Sequence, residues 1–143
     1  MTVIAWDGKT LAADKQRSFS GTTGRTTKLF RIASGEVLAI AGNEAMGRLL
    51  VDWYVNGANP TEWPEAQKTE DWARLVVASK SGLKYFEKFP VAIELQEPFY
   101  AFGSGMDVAL GALAMGATAE RAVEVASQFI DSCGGGIDAM GLD

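Results

Sequence analysis

Residues 1–14 read MTVIAWDGKTLAAD. Residues 2–6 (TVIAW) are rich in β-branched and aromatic side chains, Asp7-Gly8 is a strong hairpin-turn signal, and residues 10–14 (TLAAD) read as the returning strand. In a hairpin turning at Asp7-Gly8, the far end of the second strand lies beside the start of the first. That geometry sets Asp14 next to Thr2, so a hydroxyl at the head of the chain meets a carboxylate held by a strand.

The composition narrows what such a hydroxyl can do. The chain has 143 residues, which fits one domain over 1–143, and 48% hydrophobic residues can supply its core. Its net charge of −5 offers no basic footprint for nucleic acid. A single cysteine, Cys133, rules out an internal disulfide and fits a reducing compartment. No apolar run approaches the roughly 20 residues a membrane helix needs, and no signal peptide is legible. These features lead us to expect a cytoplasmic protein with Met1 as a simple initiator.

The chain has no histidine. This excludes Ser-His-Asp and Cys-His nucleophile systems, and it removes the commonest metal ligand. A hydrolase built from this chain must take its base from a carboxylate, a lysine or an amine. An N-terminal residue can use its own α-amino group, which titrates near about 7.7–8.0 and is therefore available as a base at neutral pH. Thr2 becomes such a residue once Met1 is removed, which a small second residue generally permits.

The rest of the chain alternates between the two periods. Residues 15–26 are polar, with two glycines, and read as a loop with room for one short strand. Residues 27–33 and 36–41 read as strands around Ser34-Gly35, the second ending at Gly42. From Asn43, apolar Met46, Leu49, Leu50, Trp53 and Tyr54 mark an amphipathic helix that closes near Gly57. Residues 58–70 hold two prolines and read as a loop, with no second long helix. Residues 72–79 and 83–89 form another expected hairpin, followed by two strands entered through Pro90 and Pro98. Helices are expected over 106–116 and from Thr118 onward, with a short strand at 137–140. Runs of strands with segregated helices indicate an α+β fold.

Several polar residues stand where an N-terminal threonine would need help. Lys28 enters an apolar strand, where a lysine either finds a carboxylate partner, such as Asp14, or has its pKa lowered. Alone, each signal has an ordinary reading: Asp14 as a turn residue, Lys28 as a solvated strand start, Asn43 as a helix cap and Gly103-Ser104-Gly105 as a loop. Their joint order is what carries weight.

That order resembles the proteasome β-subunit superfamily of N-terminal nucleophile hydrolases, which includes the bacterial HslV peptidase. The resemblance rests on Thr2-Val3-Ile4-Ala5, Ala12-Ala13-Asp14, Thr27-Lys28-Leu29, Ala41-Gly42-Asn43, Gly103-Ser104-Gly105 and Asp131-Ser132-Cys133-Gly134-Gly135. It implies a four-layer αββα sandwich. It implies Thr2 as nucleophile with its α-amine as proton acceptor, Lys28 lowering the pKa of that pair, Asp14 holding Lys28, and the Gly42 N–H stabilising the oxyanion. Ser104 and Asp131 would complete the network around the amine. Ser18 would pair with an extended substrate, and Ile40 would line the pocket for the residue before the cut. No cofactor is required, though a monovalent or divalent cation at the carbonyls of Ile130, Cys133 and Gly136 is implied for HslV-type members. The family's usual Ser-Gly-Gly is replaced here by Cys133-Gly134-Gly135-Gly136, so one serine of the network is expected to be missing.

The function implied is a threonine-type endopeptidase acting on unfolded polypeptide or peptides inside a self-assembled homo-oligomeric ring, with an AAA+ unfoldase as its candidate partner and no role for nucleic acid or membrane. Three other readings fit the same sequence: a catalytically inactive proteasome-like assembly protein, a small-molecule N-terminal nucleophile amidase, and an α+β binding module in which Thr2 is incidental. A retained Met1 marks the first, and a narrow closed pocket the second.

Overall fold

The computed structural model describes residues 2–142. Met1, whose removal the reading above requires, lies outside the described residues. Two β-sheets face each other, with helices on both outer faces. The first sheet has the order β10-β1-β2-β11, built from Tyr100–Phe102, Ile4–Trp6, Thr10–Asp14 and Ile137–Gly141. The second has the order β5-β6-β7-β8-β9, built from Leu29–Arg31, Val37–Gly42, Ala73–Ser79, Gly82–Phe86 and Ile93–Glu94. Helix α1 (Glu44–Val55) packs on β6 and β7, while α2 (Met106–Ala114) and α3 (Ala119–Phe129) pack on the first sheet. This is the αββα sandwich expected from the sequence.

Alternation along β1 shows why the layers form. Side chains of successive strand residues point to opposite faces. Ile4 and Trp6 join Leu11, Ala13, Leu29, Val37, Ala39 and Val76 in the core between the sheets. Val3 and Ala5 point the other way, into a core of small residues under α2 and α3 that includes Ala109, Ala122 and Ala126. The second sheet repeats the pattern, with Leu38, Ile40, Leu75 and Val77 packing under Leu50 and Trp53 of α1. Every residue from Val3 to Trp6 is at least 96% buried, since their relative exposures are 0, 0, 0 and 4%. Both faces of β1 are therefore apolar, and Thr2 is carried on a rigid strand.

The Asp7-Gly8 turn forms as expected, and Asp7 ties it to the helical layer. Its Oδ1 accepts the N–H groups of Lys9 and Thr10 at 2.9 and 2.8 Å, and its Oδ2 accepts the N–H of Ala119 at the start of α3 at 2.9 Å. Thr118 caps the same helix through Arg121 N–H, and Asn43 caps α1 through Met46 N–H.

Three segments differ from expectation. Residues 15–26 are a hairpin, β3 (Gln16–Phe19) paired with β4 (Thr22–Arg25), and not a loop. Their side chains are mostly exposed, so no apolar alternation marks them in the sequence. Residues 58–70 contain two 3-10 turns, Pro60–Glu62 and Glu65–Lys68. They are pinned by Gln67, which is fully buried and whose amide bonds Ala73 and Glu87 of the neighbouring backbone. The strand expected after Pro90 shrinks to Ile93–Glu94.

Candidate active site

The register of β1 and β2 brings Val3 opposite Asp14: Asp14 N–H donates to the Val3 carbonyl at 3.2 Å, and Val3 N–H donates to Asp14 Oδ1 at 3.1 Å. Asp14 is fully buried, and a buried carboxylate needs donors on both oxygens. It has them. Oδ1 also takes the Lys28 ammonium at 2.7 Å, and Oδ2 takes the N–H groups of Gly134 at 3.0 Å and Gln16 at 3.3 Å. Lys28 comes from the entry to β5, where its own carbonyl accepts Ile40 N–H at 3.0 Å. One carboxylate thus joins the two sheets and the glycine run after α3.

Thr2 is 4% exposed and lies at the mouth of this arrangement. Its N–H donates to Ser104 Oγ at 3.1 Å, and its carbonyl accepts Gly105 N–H at 3.1 Å. Gly103 is obligatory in this packing. At φ 92° it sits in the left-handed region, and a Cβ there would stand 2.2 Å from the Thr2 carbonyl oxygen.

Gly42 ends β6 at φ 101°, where a Cβ would meet the Trp72 carbonyl oxygen at 2.8 Å. In antiparallel strands, successive N–H groups point to alternate neighbours. Ile40 N–H points to Lys28 and Asn43 N–H to Trp72. The Gly42 N–H, two residues after Ile40, therefore faces the Lys28 side, just past the end of β5 and beside Thr2. A donor there suits an anion that forms during acyl transfer.

Thr2, Lys28, Gly42, Ser18 and Ile40 all line one cleft of about 430 Å³, together with Arg17, Thr26, Glu44 and Ala45. Asp14 lies beneath it. Among the expected residues, Asp131 stands apart: it is exposed, and its contact with the site runs through its carbonyl, which accepts Gln16 Nε2 at 3.0 Å. The carbonyls of Ile130 and Gly136, implied as cation ligands, already accept the N–H groups of Cys133 at 3.0 Å and Lys15 at 3.1 Å. Each retains one lone pair.

The structure adds residues that the sequence reading did not single out. Ser132 Oγ lies 2.8 Å from Ser104 Oγ, so a hydroxyl is present although the serine expected from the resemblance is replaced. Cys133 Sγ is 3.8 Å from Ser104 Oγ. Burial pushes the Cys133 thiol up, against a smaller lowering from the Ser104 hydrogen bond. Across the cleft, Glu44 accepts Thr26 Oγ1 at 2.5 Å and pairs with Arg17 and Arg48, each at 3.4 Å. The Thr26 hydrogen bond holds the Glu44 carboxyl below its usual range, with Arg17 and Arg48 adding to it against some desolvation. The one sequence signal for Glu44 was its place directly after the Asn43 cap, in the first turn of a helix.

No protein-family model matches the sequence, and no curated protein matches it. Solved structures do. BPH from Thiobacillus denitrificans superposes with a TM-score of 0.76 at 20% identity, over 100% of this chain and 98% of that one. The same protein in complex with epoxomicin superposes with a TM-score of 0.76 at 21% identity, over the same shares. Eukaryotic HslV from Trypanosoma brucei gives a TM-score of 0.77 at 20% identity, over 100% of this chain and 99% of that one. The chain has the HslV- and proteasome-type fold.

Proposed function

We propose that this protein is a threonine peptidase of the proteasome and HslV kind, with Thr2 as its nucleophile after loss of Met1. The observation that carries this reading is the convergence of the Asp14–Lys28 pair and Ser104 on Thr2, which opens onto a cleft that Lys28 and Gly42 also line. The Thr2 hydroxyl attacks a peptide carbonyl while its proton passes to the α-amine. The Lys28 charge favours the alkoxide, and Asp14 keeps Lys28 in place. The Gly42 N–H receives the developing oxyanion. The amine then protonates the departing amine, leaving an ester on Thr2, and water activated by the same base releases it. Ser18 on β3 offers an extended substrate a strand to lie against, and Ile40 meets the side chain before the cut.

Assembly into a ring belongs to the same proposal. Leu49 and Val55 on α1, Met115 after α2 and Phe129 at the end of α3 are 51, 55, 89 and 72% exposed, so both helical layers offer apolar side chains to a neighbouring copy. Light scattering at micromolar concentration tests it, and a monomer contradicts it. Among the described residues, no helix is long and apolar enough to cross a membrane.

Hydrolysis of unfolded casein by the wild type and by Thr2→Ala tests the activity. Abolished cleavage in the variant and inhibition of the wild type by epoxomicin support the reading, and equal cleavage by both proteins overturns it.

A further inference from the structure

We propose that Ser132 is a positioning residue for the Thr2 α-amine, acting through Ser104; this rests on the reading above that Thr2 is the nucleophile. Ser104 Oγ has one proton and two lone pairs. The Thr2 N–H fills one lone pair at 3.1 Å. Two oxygens compete for the proton: the Thr2 carbonyl at 3.3 Å and Ser132 Oγ at 2.8 Å. A carbonyl oxygen only accepts, whereas the Ser132 hydroxyl can also donate. The arrangement that satisfies every group has Ser104 donating to Thr2 O and Ser132 donating to Ser104. All of the hydrogen-bonding capacity of Ser104 is then used.

This filling has a chemical consequence. A Ser104 oxygen that already accepts from Ser132 is a poorer acceptor for an ammonium. Hydrogen bonds to a charged form stabilise it, so a weaker one lowers the pKa of the amine. Ser132 thereby helps keep the amine neutral, with its lone pair free for the Thr2 hydroxyl. Other charged and titratable groups lie close by: Asp14 from β2, Lys28 at the entry to β5, Cys133 after α3, and Arg17 and Glu44 in the lining of the cleft. Cys133 Sγ, a weak donor, also reaches both hydroxyls, but at 3.8 Å from Ser104 Oγ it is a weaker partner than Ser132 Oγ at 2.8 Å. Ser132 is partly exposed, so its removal leaves little void.

The test uses protein whose intact mass shows Met1 to be absent. The pH dependence of Thr2 α-amine acetylation by acetic anhydride, read on the N-terminal peptide, gives the amine pKa without reference to catalysis. In Ser132→Ala the amine titrates higher, by on the order of half a unit, and the acidic limb of kcat/KM moves with it. Ser132→Cys, which keeps the volume and weakens the donor, shifts the same way, and Ser132→Thr titrates like the wild type. An unshifted amine in Ser132→Ala and Ser132→Cys, both folded, overturns the proposal, as does a uniform loss of kcat/KM with no movement of the limb. A wild type that hydrolyses no peptide refutes the peptidase reading, yet a shifted amine in Ser132→Ala still upholds the hydroxyl relay. A chain that keeps Met1 has no amine at Thr2 and overturns both.

Discussion

Lys28 Nζ and Asp14 Oδ1 are 2.7 Å apart, with the two side chains 6% and 0% exposed, and the same Asp14 oxygen accepts the N–H of Val3. The pair fixes the distance between the two sheets at the point where Thr2 emerges. A buried ion pair gives little net stability as a whole, but losing one partner leaves the other charge stranded.

Lys28→Met therefore lowers stability by roughly 3–5 kcal/mol in urea titration, because it leaves the Asp14 carboxylate buried without its cation. The Lys28→Met/Asp14→Asn double variant regains part of that loss. Neither variant cleaves peptides, since both lack the charge that favours the Thr2 alkoxide.

Gly42→Ala is costly in two ways. Its φ of 101° disfavours any side chain, and the new Cβ meets the Trp72 carbonyl oxygen at 2.8 Å. Strain of this kind costs about 1–3 kcal/mol of stability. The displaced N–H should lower kcat by on the order of 10²-fold with KM little changed, as loss of an oxyanion donor does. A parallel fall in binding, seen as a raised KM, would argue that Gly42 serves only the fold.

Glu44 gives the cleft a pH dependence. Its pKa is depressed below 4.5 in the folded chain, first by the Thr26 hydrogen bond and further by Arg17 and Arg48. The unfolded chain then binds more protons, so this contribution is present above about pH 4.5 and is lost as pH falls through the lowered value. Arg17 lies in β3 and Thr26 directly follows β4, so acid should loosen that arm first. Hydrogen exchange over residues 16–25 should speed up below pH 4.5 before the sheets open, and Thr26→Val should weaken this pH dependence.

Cys133 is 4% exposed, and burial raises its pKa. Little thiolate forms at neutral pH, so iodoacetamide should label the folded protein far more slowly than the protein in urea. Rapid labelling of the native state would show that the turn after α3 opens readily.

Much of this site was legible in the sequence because it rests on local chemistry. Asp7-Gly8 fixed a turn, the turn fixed a register, and the register put Asp14 beside Thr2. Lys28, in an apolar strand, called for a carboxylate. What stayed hidden depends on tertiary placement. The β3–β4 hairpin packs against neither sheet's core, so its residues alternate without apolar signal. Gln67 acts by bonding Ala73 and Glu87, which are distant in sequence or placed by the sheet. Ser132 reaches Ser104 only because α2 and the turn after α3 converge on the end of β1, and no motif at position 132 announces that contact.

The most direct test of Thr2 as nucleophile is intact-mass and peptide-mapping measurement on protein quenched in acid during turnover of an activated peptide ester. The structure leads us to expect a chain lacking Met1 and carrying one acyl group, located on Thr2. A chain that retains Met1, or an acyl group found on any other residue, would contradict the mechanism.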